Sequence, residues 1–186
     1  MNVAPIGSII GGGGRGEVPP SASGAVGGVW SDEKPPQEPD IAAAFRSGIG
    51  MAVRSAWMTV DQADVDTFAA VTRDANPLHV DPVAAAAGPF GAPIAHGFLV
   101  LSLLSAFVNE MTGIPSGAKA AVNRGFNRVR FLSPVRVGSR IRGRMTTREV
   151  RAAGATRFII RATVAVEIEN TAQPALVADW EFIIYP

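Results

Sequence analysis

The sequence predicts an α+β domain in which a strongly curved antiparallel sheet wraps one long helix. Three observations carry this reading. From His96 to about Asn109 the residues Phe98, Leu99, Val100, Leu101, Leu103, Leu104, Ala106, Phe107 and Val108 cover nearly the whole circumference of a helix, and a helix apolar all round must be wrapped by other structure. Downstream, four segments carry strand patterns separated by turn residues: Ala121 to Leu132, Ser139 to Val150, Ala155 to Glu169 and Ala175 to Tyr185. Upstream, residues 1–39 hold nine of the twenty glycines and six of the fourteen prolines, so the domain is expected to span 40–186 behind a disordered tail.

The elements follow in order. Asp40 caps a short helix from Ile41 to about Ser47, and Gly48 and Gly50 lead into a first strand, Val53 to Val60. Asp61 caps the next helix, which buries a stripe of Val65, Phe68, Ala69 and Thr72 and carries Asp64 and Asp66 in its first turns, where negative charge suits the dipole. That helix delivers Asp74 at its C-terminal end. Asp81-Pro82 opens an alanine-rich helix, since proline is favoured at the first helical position, and Gly88 to Pro93 is a loop. Ser133-Pro134, Val137-Gly138, Ala153-Gly154 and Asn170 to Pro174 mark the turns between strands.

Composition narrows the function. At 186 residues and 47% apolar the chain can bury a sizeable core. No cysteine is present, which removes disulfides, thiol nucleophiles and thiolate metal sites and is compatible with a cytoplasmic location. The longest apolar run is interrupted by Ser102 and Ser105, so no membrane span is expected. Twelve of the seventeen basic residues lie between Lys119 and Arg161 against one acid, Glu149. Arginines on the exposed faces of strands account for this, with the phosphates of a nucleotide-bearing ligand or an acidic carrier as the functional option. They lack the interleaved aromatics of a nucleic-acid surface, so no nucleic-acid partner is expected. The run Gly11 to Gly14 is followed by no Lys-Ser/Thr and is no phosphate loop.

Chemistry concentrates between Asp74 and Gly97, which hold both histidines, His79 and His96. Asp74 and His79 are five residues apart, a spacing that one helix face does not bring together. Pro77 pushes Asn76 out of the α region, so the chain turns there and a carboxylate and an imidazole can flank one small polar space. His96-Gly97 then opens the central helix, whose first N–H groups have no helical partner. An acid/base pair beside free amide donors suits chemistry at a carbonyl. A metal held by Asp74, His79, Asp81 and His96 is the weaker option. Ser102 and Ser105 sit in no nucleophile elbow.

The motif Asp74-Ala75-Asn76-Pro77-Leu78-His79 resembles the hydratase signature of the MaoC-like, (R)-specific enoyl-CoA hydratases, a hot-dog-fold family. The stretches from Ala86 to Leu104 and from Val122 to Gly143 are similar to its nodulation-protein-N-like branch. The resemblance covers about Ile41 to Pro186. It implies reversible hydration of a trans-2-enoyl thioester carried on CoA or an acyl carrier protein, with no cofactor and no metal, in a homodimer with the acyl tunnel near the interface. It places Asp74 and His79 on the catalytic water, Gly97 N–H on the thioester carbonyl, Asn76 bracing the turn and Ser105 near the catalytic aspartate. His96 reads as a helix-start residue that packs near the site. Two departures stand out. Arg73 occupies a position that is usually glycine, where positive φ would strain it. Asn-Pro-Leu belongs to the classical hydratases rather than to the nodulation-protein-N-like branch, so the substrate is not legible by branch. A hot-dog thioesterase and a non-catalytic acyl-thioester-binding module are the alternatives.

Overall fold

The computed structural model describes residues 40–112, 118–154 and 156–185. The tail expected at 1–39 lies outside them, as does the side chain expected to cap at Asp40. The order of elements is α1 (Asp40–Ser47), β1 (Ala52–Arg54), β2 (Met58–Thr59), α2 (Gln62–Thr72), α3 (Pro77–Val80), α4 (Pro82–Ala86), α5 (Gly97–Ser102), α6 (Leu104–Thr112), β3 (Ala120–Phe131), β4 (Arg140–Ala152), β5 (Phe158–Ile168) and β6 (Leu176–Tyr185). All strand pairings are antiparallel and the sheet runs β1-β4-β5-β6-β3, with β2 also on β4.

One face of the sheet is the floor of the core. Ile141, Met145, Ile160, Val164, Val166, Leu176, Trp180, Phe182 and Ile184 are buried there against Leu99, Val100, Leu104, Phe107 and Val108 of α5 and α6. Contact is closest at Gly143, where an added Cβ would stand 2.5 Å from Cβ of Phe107, so only glycine lets this helix reach the strand. β6 alternates buried and half-buried residues along its whole length, the period-2 signature of a strand with one face on a core.

The outer face carries many of the arginines in ion pairs. Arg54, Arg142 and Arg144 surround Glu167 at 3.5, 2.8 and 3.0 Å, and Arg140 meets Glu169 at 2.7 Å. Arg161 bridges Glu181 and Glu149, Arg124 also reaches Glu181, and Arg128 pairs with Asp179. The basic half of the sequence is therefore largely an ion-pair lattice on a sheet surface, the simpler of the two readings of that composition.

Four details differ from expectation. The strand expected over 53–60 is two short pieces, because Ser55 turns inward: its N–H donates to the Gly143 carbonyl and its Oγ accepts from Gly143 N–H, both at 3.0 Å. The single helix expected over 96–109 is divided at Leu103, where Ser102 Oγ donates to the Leu99 carbonyl at 2.7 Å and competes with the backbone ladder. Nor is that helix wrapped on all sides, since Phe98 is 70% exposed. Thr72 is exposed rather than buried, its Oγ1 donating instead to the Phe68 carbonyl.

Candidate active site

The end of α2 aims the site. Asp61 caps the helix by accepting from Asp64 N–H, while the Asp64 carboxylate accepts from Asp61 N–H, a reciprocal capping box. After eleven helical residues the helix stops at Arg73, which adopts φ 64°, ψ 20°. That left-handed residue swings the chain out of the helix so that Asp74 leaves in a new direction. Asn76 is extended, with φ −60° and ψ 130°, and its Oδ1 accepts from Leu78 N–H, which starts the single turn of α3 behind Pro77. The turn expected from the proline is present, and it is itself a short helix that carries His79.

Four hydrogen bonds then fix the imidazoles. His79 Nδ1 lies 2.7 Å from the Ile94 carbonyl, and His96 Nε2 lies 2.9 Å from the Asp74 carbonyl. A carbonyl can only accept, so His79 carries its proton on Nδ1 and leaves Nε2 with a free lone pair. By the same logic His96 is protonated on Nε2. The His79 backbone carbonyl accepts from Gln62 Nε2 at 2.9 Å, tying α3 to α2, and Ile94 N–H donates to the Leu78 carbonyl at 3.2 Å. His96 is 2% exposed and packs on Phe68, with the rings of His79 and His96 overlapping at 3.8 Å.

Asp74, His79 and His96 are thus brought together: one donor atom from each lies within 4.8 Å of the others. A water hydrogen-bonded to two groups at about 2.8 Å spans roughly 4.5 Å between them, so one water can touch both Asp74 and His79. Asp74 is exposed and His79 half-buried, which leaves the pair accessible. The same atoms could in principle ligate a cation. However, imidazoles overlapping at 3.8 Å and inclined by 31° do not converge their in-plane lone pairs on one ion. Asp81 is committed elsewhere, its carboxylate accepting from Val83 and Ala84 N–H to cap α4.

Gly97 begins α5 directly after His96, and no side chain caps that helix. Its Cα faces Phe131 of β3: an added Cβ would lie 3.0 Å from the ring. Beside it opens an apolar cavity of about 250 Å³ lined by Phe90, Ile94, Gly97, Val100, Phe131 and Leu132 among others. Ile94 lines this cavity and holds His79, which links the polar pair to the apolar space. Ser105 falls elsewhere. It lies eight residues past Gly97, about 12 Å along the helix, and lines a separate cavity. Sequence reasoning missed Phe131, Gln62 and Ile94. Phe131 was legible only as a strand residue, and the other two act through contacts that no local pattern encodes.

A curved antiparallel sheet packed on a central helix is the architecture of the hot-dog class of proteins. The fold matches the (R)-hydratase from A. caviae involved in PHA biosynthesis with a TM-score of 0.61 at 27% identity, covering 74% of this chain and 96% of that one. The MaoC like domain matches residues 44–169, and the chain belongs to that family. It is similar to Nodulation protein N of Rhizobium leguminosarum bv. viciae, 48% identical over 134 residues, 70% of this chain and 82% of the relative. It is also 43% identical over 140 residues to 3-hydroxyacyl-thioester dehydratase Z of Mycobacterium tuberculosis, 75% of this chain and 90% of the relative.

Proposed function

We propose that the protein is an acyl-thioester hydro-lyase that adds water to trans-2-enoyl thioesters to give (R)-3-hydroxyacyl thioesters, and runs the reverse dehydration. The observation that carries this reading is the juxtaposition of Asp74 and His79 within reach of one water, in a cluster with His96, the residue directly before Gly97. His79 Nε2 is the open lone pair. It and the Asp74 carboxylate share the work of deprotonating the water that attacks C3 and returning a proton to C2. Gly97 N–H holds the negative charge that develops on the thioester oxygen, and glycine permits the acyl group to approach the backbone. His96 positions Asp74, and Asn76 shapes the turn. The reaction transfers only a proton and a hydroxyl, so it calls for no redox or group-transfer cofactor.

The substrate is an acyl-CoA or an acyl-carrier-protein thioester. We place the protein in the cytoplasm; among the described residues no helix is long and apolar enough to cross a membrane. A homodimer is favoured by β3, an edge strand of twelve residues, and by the exposed Phe98, Val122, Phe131 and Leu132 on and beside it. Ser105 makes no hydrogen bond to Asp74 within one subunit, so a role for it at the aspartate requires the second copy.

The test is to mix the purified protein with a short trans-2-enoyl-CoA. Loss of the conjugated enoyl absorbance, with water incorporated at C3, is expected. Release of free CoA would instead mark a thioesterase, and tight binding without turnover a binding module.

A further inference from the structure

We infer that Phe45 and Thr112 form the end wall of the acyl cavity, so that α1, through Phe45, sets the longest acyl chain the enzyme accepts. The inference rests on the reading above, which seats the thioester carbonyl at Gly97. From there Leu101, Ser105 and Asn109 recur at intervals of four and form one stripe along the helix. An acyl chain following the stripe meets Ser105 after about 12 Å and the level of Thr112 after about 22 Å. Ser105 and Asn109 of this stripe line a cavity of about 150 Å³, separate from the one beside Gly97, together with Val122 and Trp180.

Phe45 and Thr112 line this cavity and also a second space of about 230 Å³. Among the described residues these two are the only ones that line both. Phe45 is 6% exposed and is braced edge-on against Phe182, at 5.9 Å between ring centroids. Beyond the wall the second space is lined by Met51, Met111 and Met145, flexible thioethers that accommodate an aliphatic chain of variable shape. Shortening either wall residue joins the two cavities and gives extra methylenes an apolar place to go.

The experiment uses the full chain and a series of trans-2-enoyl-CoA substrates of increasing length, comparing the native protein with Phe45→Leu, Thr112→Ala and Phe45→Trp. The readout is the ratio of kcat/KM for a long over a short substrate, which cancels any difference in the amount of folded protein. Phe45→Leu and Thr112→Ala should each raise the ratio, by about fourfold for each methylene newly accommodated. Phe45→Trp should lower it. If all three variants keep the native ratio while the native protein hydrates short substrates, the end-wall assignment is wrong and the hydratase reading stands. If the native protein turns over no enoyl thioester of any length, both fall together.

Discussion

His96 reaches back twenty-two residues to hold Asp74, its Nε2–H donating to the Asp74 backbone carbonyl at 2.9 Å. This bond joins the start of the central helix to the turn after α2, so one imidazole ties Gly97 to Asp74, the residues proposed as oxyanion donor and acid. It also explains why a buried histidine stands next to Gly97. The ring is buried, while the Asp74 it holds is exposed.

His96→Ala should therefore damage turnover through position. Losing the bond orphans a carbonyl in a tight turn and frees Asp74 to move. We expect kcat to fall by about ten- to a hundredfold with KM changed much less. His96→Gln retains a donor amide and should recover part of the loss. Kinetics on an enoyl-CoA with both variants checks this, and equal kcat for Ala and Gln would show that the hydrogen bond is not what matters.

Asp74→Asn and His79→Ala test the acid/base pair directly. Asp74 is exposed, so Asp74→Asn leaves core packing intact, whereas His79→Ala gives up the ring contact with His96 and the bond to Ile94. Each should cut kcat by about a hundred- to ten-thousandfold, while circular dichroism stays native-like in both and thermal melting is lowered in His79→Ala only. A variant that keeps full activity takes its residue out of the mechanism.

Arg73 holds φ 64° at the helix stop, a conformation that costs an L-residue roughly 1–2 kcal/mol over the right-handed region. Arg73→Gly should stabilise the domain by about 1 kcal/mol, after allowing for the larger entropy glycine loses on folding, and raise Tm by about 2–4 °C. Thermal unfolding of the pair of proteins measures this. A lower Tm for the glycine variant would mean that the guanidinium makes up the backbone cost through interactions of its own.

Much of this was legible in the sequence because local rules decided it. Asp61 announced a capped helix, Pro77 forced the turn between acid and histidine, and Asn170 to Pro174 marked the break before the last strand. What was not legible was set by distant partners. Ser55 breaks the first strand because Gly143, eighty-eight residues away, offers it backbone hydrogen bonds. His79 is locked in one tautomer by Ile94, and Gly97 is shadowed by Phe131, contacts that depend on how the sheet closes over the helix. The exposure of Phe98 escaped the helical pattern because periodicity reports how apolar a face is and not what covers it.

The ion-pair lattice makes an acid-side prediction. Glu181 is held below the usual carboxylate range by its hydrogen bond from Arg161, against a smaller upward push from burial. For Glu167 burial pushes upward, but Arg142, Arg54 and Arg144 together more than offset it, and the net shift is again downward. In the unfolded chain these groups return to about 4.5. The folded state then binds fewer protons just below that value, so the stabilisation is complete above it and is lost as pH falls through the lower folded values. Urea melts from neutral pH to pH 3 should show stability declining from about pH 4.5 downward, with a shallower decline in Glu181→Gln. An identical pH slope in that variant would show that the lattice contributes nothing to acid stability.

Gly97 and Phe131 give the sharpest test of the oxyanion site. A Cβ at position 97 would press on the Phe131 ring at 3.0 Å, against the far end of a half-exposed side chain that can yield. Gly97→Ala should therefore fold, yet its methyl stands beside the apolar cavity, where the proposed function has the acyl group meet the backbone N–H. Removing access to one such donor costs about a hundred- to a thousandfold in kcat. Phe131→Leu in the same chain relieves the clash with the ring but leaves the methyl in place. If obstruction of the acyl group is the cause, the double variant stays as slow as Gly97→Ala; if displacement of Phe131 is the cause, activity returns. Measuring kcat for the two single variants and the double separates a blocked amide from a misplaced wall, and full activity in Gly97→Ala alone would remove that N–H from the mechanism.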